Sequence, residues 1–173
     1  VMLSAESASG QFPVEAVSTM NRIAEEVERD AVYWPIIKAQ RHAPESTGSD
    51  AIAAAAHQMA DTLGITTIAA WTFSGSTALR LARERPNSTV IALTPNRATA
   101  RRLALAWGVH PIMTRDANDI DDMAARACKF AVRTGLAGVG DRILVVAGMP
   151  FGTPGATNIV RIAYVTQEHA SMA

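Results

Sequence analysis

Residues 65–81 constrain the fold more than any other stretch, because they join a buried strand, a hydroxyl-rich turn and the start of a helix. The first part, Ile-Thr-Thr-Ile-Ala-Ala-Trp over residues 65–71, is short, apolar and rich in β-branched side chains. Such a run is typical of a strand that is covered on both faces of a parallel sheet. Good helix formers follow the turn, and we predict Leu79 and Ala82 on the apolar side of that helix.

The turn between this strand and helix carries four hydroxyl groups and one glycine in six residues, Thr72-Phe-Ser-Gly-Ser-Thr77. We expect Ser74 or Ser76 to cap the helix, and Gly75 to let the backbone turn tightly with its N–H groups exposed. A helix N-terminus with free N–H groups and nearby hydroxyls is a natural anion site. The same residues also occur in turns that only cap a helix, so the turn alone leaves both interpretations open.

Strands and helices alternate from residue 49 onward, which predicts a three-layer α/β/α sandwich. The predicted strands cover residues 65–71, 89–93, 110–113, 142–147 and 158–165, and the predicted helices begin near Ser49 or Asp50, Ser76, Arg97 and Asp119. The glycine- and proline-rich loop 148–157 holds no helix, so a parallel crossover is impossible there. The fifth strand is therefore predicted to run antiparallel at an edge of a mixed sheet.

The first part of the chain predicts a separate βα unit. Residues 1–4 look like the end of an apolar strand, a polar loop follows, and Pro13 suits the first position of a helix. One such unit cannot bury its own apolar face, so we expect the chain to be a piece of a longer protein. The predicted division is 1–37 for this unit, 38–48 for a linker and 49–173 for the sandwich.

The amino-acid composition limits which partners this chain is expected to bind and which metal or disulfide chemistry it can support. Sixteen basic residues balance sixteen acidic ones, so no net charge favours nucleic acid or an anionic membrane. No run is long and apolar enough to span a bilayer, and the single Cys128 excludes an internal disulfide, which suits a reducing cytoplasm. The histidines lack metal-ligand spacing, so no metal site is predicted. Cys128 is interpreted as a small buried side chain.

The order of the strands decides where a ligand binds. Ligands of open α/β sheets lie beyond the carboxyl ends of the strands, where the strand order reverses. If the first strand of the sandwich is central, loops 72–77 and 148–157 meet at that point. Both loops offer hydroxyls, glycines or backbone N–H groups. We therefore predict an anionic-ligand site there.

Three stretches resemble the pyruvate kinase family. Residues 1–17 resemble the final strand, loop and helix of its (β/α)8 barrel, whose common form is M-L-S-G-E-T-A-x-G-x-Y-P-x-E-A-V. Residues 72–77 are similar to the phosphate-holding loop of its C-terminal domain, and residues 148–165, with Gly155-Ala-Thr-Asn158, resemble its last loop and strand. The resemblance implies a five-stranded sheet of order 3-2-1-4-5 with an antiparallel fifth strand, preceded by a βα unit of a TIM barrel.

The resemblance also implies the site residues and the partners. The implied effector phosphate site consists of Thr72, Ser74, Gly75, Ser76 and Thr77, and the implied effector loop contributes Gly152, Gly155 and Thr157. The whole enzyme would transfer a phosphoryl group from phosphoenolpyruvate to ADP, with Mg and K, as an allosterically regulated, ATP-binding cytoplasmic tetramer. We expect the C-terminal domains to associate through the last strand.

Departures from the family pattern limit what this chain can do. Ala5 replaces the usual Gly and Ser7 the usual Thr, which are mild changes. The family's phosphate-binding arginine, catalytic lysine and metal-binding carboxylates lie on earlier barrel strands, so no catalytic residue is predicted here. Glu6 is interpreted as a structural hydrogen-bond acceptor. The chain by itself should be catalytically inert.

The effector is predicted to carry one phosphate. In eukaryotic members a Trp and an Arg hold the second phosphate of a bisphosphorylated sugar, and these positions fall near Asp116 and Met123 here. Neither side chain suits a second phosphate, so we expect a sugar monophosphate or a nucleoside monophosphate. The alternative to the pyruvate kinase interpretation is a free-standing α/β domain that binds or processes a phosphorylated metabolite.

Overall fold

The computed structural model describes residues 2–40, 43–150 and 156–171 and divides the chain into two units, residues 1–42 and residues 43–173. The first unit contains helices α1 (Ala5–Ala8), α2 (Pro13–Arg29) and α3 (Tyr33–Ala39). Pro13 occupies the first turn of α2, as expected. The apolar side chains of α2 are largely exposed, and they include Val14, Val17, Ile23 and Val27.

Two sequence predictions for the first unit are wrong. Residues 2–4 form no strand, and α1 replaces part of the predicted polar loop. A strand needs a neighbour to take its backbone hydrogen bonds, and this unit has no second strand among its described residues. The predicted linker 38–48 also begins within a helix, because α3 extends to Ala39. Pro35 lies in the first turn of α3, where its missing N–H group breaks no intrahelical hydrogen bond.

The second unit is built on a five-stranded sheet. Its strands are β1 (Thr67–Trp71), β2 (Thr89–Thr94), β3 (Val109–Met113), β4 (Arg142–Gly148) and β5 (Thr157–Tyr164). The strand order is β3-β2-β1-β4-β5. β1 pairs in parallel with β2 and β4, and β4 pairs with β5 antiparallel. The predicted fold, sheet order and antiparallel edge strand are therefore confirmed.

Helices cover both faces of the sheet, which gives the predicted three layers. They are α4 (Gly48–Leu63), α5 (Ser76–Arg83), α6 (Arg97–Leu103), α7 (Ile120–Arg133) and the short, unpredicted α8 (Gln167–Ser171). Alternate residues of β1 enter two core clusters: Ala69 packs in one with Met123 and Ala127, and Ile68 packs in the other with Ala56 and Leu81. Every residue of β1 is buried, as its apolar sequence predicts.

Some helix starts and faces differ from the sequence prediction. Thr47, not Ser49 or Asp50, caps α4, and its Oγ1 accepts a hydrogen bond from the Asp50 N–H at 3.2 Å. On α5 the buried apolar side chains are Ala78 and Leu81, while Leu79 is 44% exposed. The prediction therefore placed the buried face of α5 one residue too far toward the C-terminus. Tertiary packing fixes this rotation, because four closely spaced apolar residues in an eight-residue helix define its buried face poorly.

No helix in the described part of the chain is long and apolar enough to cross a membrane.

Candidate anion-binding site

The turn after β1 is held by its own hydrogen bonds. The Gly75 N–H donates to Thr72 Oγ1 at 2.9 Å, and the Thr72 N–H donates to the Leu93 carbonyl of β2 at 3.0 Å. Gly75 has a φ of +91°, a conformation that suits glycine. The turn therefore lies at the carboxyl edge of the sheet, directly after β1, and these hydrogen bonds fix its backbone conformation.

Gly75, rather than Ser74 or Ser76, occupies the N-cap position of α5. The first intrahelical hydrogen bond runs from the Leu79 N–H to the Gly75 carbonyl at 3.0 Å, so the preceding amides of Ser76, Thr77 and Ala78 have no intrahelical acceptor. Ser74 Oγ lies at a long 3.5 Å from the Ser76 N–H and donates to Ser76 Oγ at 3.1 Å. The helix therefore presents a positive dipole end and two serine hydroxyls together.

The two predicted loops meet, as the strand order requires. Thr77 Oγ1 and Thr157 Oγ1 are 2.7 Å apart, and both residues are buried. Gly148 lies opposite Thr157 in the β4–β5 ladder, and a Cβ atom on Gly148 would approach the Ala156 carbonyl oxygen at 2.4 Å. Only glycine fits this approach. Gly152 and Gly155, the other two predicted loop residues, lie outside the described residues.

The Asn158 side chain closes the base of the second loop. Its Oδ1 accepts a hydrogen bond from the Met149 N–H at 2.9 Å, and its Nδ2 donates to the Met149 carbonyl at 2.8 Å. This paired contact resembles one rung of a strand ladder. It holds the start of the loop against β5, beside Thr157.

Arg102 is a candidate site residue that the sequence analysis missed. Its guanidinium Nη2 donates a hydrogen bond to the Ser74 carbonyl, and a Cβ atom on Gly75 would lie only 3.1 Å from that nitrogen. On the same helix, Thr99 Oγ1 donates to the Phe73 carbonyl at 2.9 Å. Helix α6 follows β2, the parallel neighbour of β1, so its side chains reach the same edge of the sheet. The predicted pairing of β1 with β2 could therefore have indicated that a side chain of α6 reaches the turn after β1.

The predicted hydroxyls have different roles in this arrangement. Thr72 and Thr77 are buried and engaged in the hydrogen bonds that shape the turn and join the loops. Ser74 and Ser76 are only partly buried, and Arg102 is exposed. The groups accessible to an anion are therefore two serine hydroxyls, the amides of the first turn of α5, and one guanidinium.

The two positions considered for a second phosphate are unsuitable in the structure as well. Met123 is 1% exposed and lies in the core. Asp116 is an exposed carboxylate whose Oδ1 accepts a hydrogen bond from the Ala117 N–H at 3.1 Å. A buried thioether offers nothing to a phosphate, and a carboxylate repels it.

The other candidate residues have structural environments. Cys128 is buried, and this burial raises the pKa of its thiol to about 11, so it behaves as a small core side chain. Asp119 caps α7, because its Oδ1 accepts hydrogen bonds from the N–H groups of Asp121 and Asp122. No group of three or more metal-ligating side chains occurs within residues 2–40, 43–150 and 156–171.

A sheet of this order, with a hydroxyl-rich turn at its switch point, defines a class of open α/β domains that bind ligands at the carboxyl edge. A family model described as "Pyruvate kinase, alpha/beta domain" matches residues 50–163. The chain belongs to the pyruvate kinase family.

Three relatives named pyruvate kinase illustrate the similarity. The protein of Methylorubrum extorquens is 70% identical over 173 residues, which are 100% of this chain and 36% of the relative. A protein of Agrobacterium vitis is 45% identical over 94% of this chain and 34% of its own length. The protein of Geobacillus stearothermophilus is 39% identical over 96% of this chain and 28% of its own length. The chain therefore spans between 28% and 36% of these relatives.

Proposed function

We propose that this chain is the effector-binding and assembly part of a pyruvate kinase, the glycolytic enzyme that transfers a phosphoryl group from phosphoenolpyruvate to ADP. Membership of the family and relatives that carry this name support the proposal. The complete enzyme would use Mg and K, act in the cytoplasm and assemble as a tetramer, as the resemblance implies. In this proposal the catalytic groups belong to other segments of the enzyme.

The chain's own role is to bind the phosphate of a small effector at the turn 72–77. The observation that carries this role is the 2.7 Å contact between Thr77 and Thr157, which joins both loops at the N-terminus of α5. A phosphate placed there would accept hydrogen bonds from Ser74, Ser76 and the first-turn amides, and its charge would attract Arg102. Each of these donors already lies at the carboxyl edge of β1 or β2.

The effector is a monophosphate, either of a sugar or of a nucleoside. The turn and its neighbours supply one cluster of phosphate donors, whereas Asp116 and Met123 offer no second one. A bisphosphate such as fructose 1,6-bisphosphate would leave one phosphate without a cationic partner. Removing that phosphate from water without compensation makes its binding unfavourable.

Titration calorimetry with ribose 5-phosphate, glucose 6-phosphate, AMP and fructose 1,6-bisphosphate tests the site. We expect at least one monophosphate to bind more tightly than the bisphosphate. Ser74→Asp should abolish that binding, because a carboxylate then lies where the phosphate would, and like charges at such a site cost several kcal/mol. Arg102→Gln should weaken it about tenfold, the effect of one partly exposed charge contact on an anion.

Arg101→Gln is the matched control, because it removes the same charge from the same helix at an exposed position with no contact to the turn. The affinity of this variant for the monophosphate should stay within about twofold of that of the parent chain. Tighter binding of the bisphosphate, or full binding by Ser74→Asp, would refute the assignment.

A further inference from the structure

A second concave surface lies between the end of β3 and α7, away from the turn after β1. It has a volume of about 390 Å³, within the range of small-molecule sites. Four of its lining residues are basic and one is acidic: Arg115, Arg126, Lys129 and Arg133, with Asp122. We call this surface the basic groove. It is unexpected in a chain whose sixteen basic and sixteen acidic residues balance.

Arg126 and Asp122 form the structural base of the groove. Arg126 Nε donates to Asp122 Oδ1 at 2.7 Å and its Nη2 donates to Asp122 Oδ2 at 2.5 Å. Its Nη1 donates to the Arg115 carbonyl at 3.0 Å, which ties the segment after β3 to the helix. The single carboxylate of the groove is therefore already neutralised, and the backbone that carries Arg115 is held against α7.

The other three cations form no direct ion pair within the described residues, although Arg115 lies close enough to Asp122 to help lower the pKa of that carboxyl group. Among the ion pairs of the described residues, none includes Arg115, Lys129 or Arg133. Arg133 lies over the Phe130 ring, with its guanidinium carbon 5.3 Å from the ring centroid, and this contact aligns it with the groove wall. Lys129 is half-buried and also lines the groove. The groove thus holds four basic side chains and one carboxylate, an excess of three positive charges, beside a partly apolar wall.

Concentrated positive charge in a concave surface has a predictable consequence. Clefts lined by charges of one sign focus the field and raise the local concentration of oppositely charged ligands. Cations held close to one another also repel, and an anion that bridges them relieves this repulsion. Because Arg115 follows β3 and Arg133 lies in the last turn of α7, a ligand that bridges them needs charge at more than one point.

We propose that the basic groove is a second ligand site, which binds a small phosphorylated molecule carrying at least two negative charges. Arg115, Lys129 and Arg133 bind its phosphate oxygens, and Phe130 supplies the apolar wall. The groove shares no residue with the turn 72–77, so this site does not depend on the proposed effector site. A chain with both sites would respond separately to two anionic ligands.

Tripolyphosphate is the probe, titrated by calorimetry into the full chain carrying Ser74→Asp, so that the turn after β1 is blocked. We expect saturable binding that weakens as salt is raised. In that background, Lys129→Gln with Arg133→Gln should weaken binding at least about tenfold, the expected effect of removing two partly exposed charge contacts. Lys129→Arg should retain it, since the charge remains.

The matched control removes two exposed arginines from α6, Arg97→Gln with Arg101→Gln, and leaves the net charge equal to that of the groove variant. Its affinity for tripolyphosphate should stay within about twofold of the background. Equal losses in both double variants would mean nonspecific attraction and would overturn the proposal. So would undiminished binding by the groove variant, while circular dichroism checks that each variant is folded.

Discussion

Asp50 shows how one residue can link helices that are far apart in the sequence. It is only 1% exposed, and its carboxylate accepts hydrogen bonds from Thr47 Oγ1 at 2.8 Å, Arg83 Nη2 at 2.6 Å and Arg80 Nε at 3.1 Å. The Thr47 hydrogen bond and the two arginines lower the pKa of Asp50 below its ordinary value of 3.8, against the opposing effect of burial. One side chain thereby joins the start of α4 to α5.

Asp50→Asn should lower the free energy of unfolding at neutral pH. It should also make that free energy depend less on pH in the acidic range. A carboxyl group whose pKa is lowered by folding stabilises the native state above its unfolded pKa, and this stabilisation is lost as pH falls through the lower folded pKa. For Asp50 the loss therefore begins near pH 3.8 and continues below it. Urea unfolding at pH 7 and at a series of acidic pH values measures both effects.

Asp116→Asn is the control, because that carboxylate is exposed and bonds only to the neighbouring Ala117 N–H among the described contacts. Its urea midpoint should match the parent. An unchanged midpoint for Asp50→Asn at pH 7 would show that the link between α4 and α5 contributes nothing to stability.

At the scale of elements, the two edges of the sheet differ. β3 carries Pro111 at its centre, and a proline lacks the donor that edge-to-edge pairing needs. β5 contains no proline, and Tyr164 on it is 63% exposed. The Val165 N–H donates to the Asp141 carbonyl, so alternate residues 163 and 161 also point their N–H groups toward β4. The N–H groups of residues 160, 162 and 164 therefore face the open edge.

This alternation identifies which substitution tests self-association through β5. Tyr164→Pro should weaken pairing with a second copy, because it removes an outward donor while Ala163 before it is already extended. Ala163→Pro should instead break the β4–β5 ladder and destabilise the fold by about 1–3 kcal/mol, because it leaves a buried β4 carbonyl without its donor. Sedimentation velocity over a concentration series, with urea unfolding of both variants, separates the two outcomes. A parent chain that stays monomeric at high concentration would contradict the prediction.

At the scale of the whole molecule, the chain is expected to lack pyruvate kinase turnover when it is tested alone. Phosphoryl transfer depends on positioned metal ions and cationic side chains around the moving group. The resemblance implies that the family's arginine, lysine and metal-binding carboxylates lie on earlier barrel strands than the one that residues 1–4 resemble. We therefore expect no pyruvate from phosphoenolpyruvate and ADP in a coupled assay, beyond the blank.

The pyruvate kinase of Methylorubrum extorquens, 70% identical over this chain, is the positive control for that assay. Turnover by the purified 173-residue chain, persisting after contaminating enzyme is removed, would show that the catalytic assignment is wrong.

Local chemistry in the sequence was enough to predict the sheet and the edge at which the two loops meet. The apolar run at residues 65–71 indicated a strand covered on both faces, and the glycine- and proline-rich sequence of loop 148–157 predicted no crossover helix and therefore an antiparallel fifth strand. The hydroxyl turn marked the edge where the loops meet. These inferences succeed because burial on two faces, loop length and glycine content can all be recognised from consecutive residues in the sequence.

Only the tertiary structure decided which separate side chains come together. Nothing in consecutive residues indicates that Arg102 contacts the Ser74 carbonyl or that Arg115 shares a groove with Arg133. Those contacts depend on the neighbours of each strand and on the rotation of short helices such as α5, where the buried face was displaced by one residue from the prediction. Such a rotation is set by the packing of the whole sheet, because a short helix has too few apolar residues to set it alone.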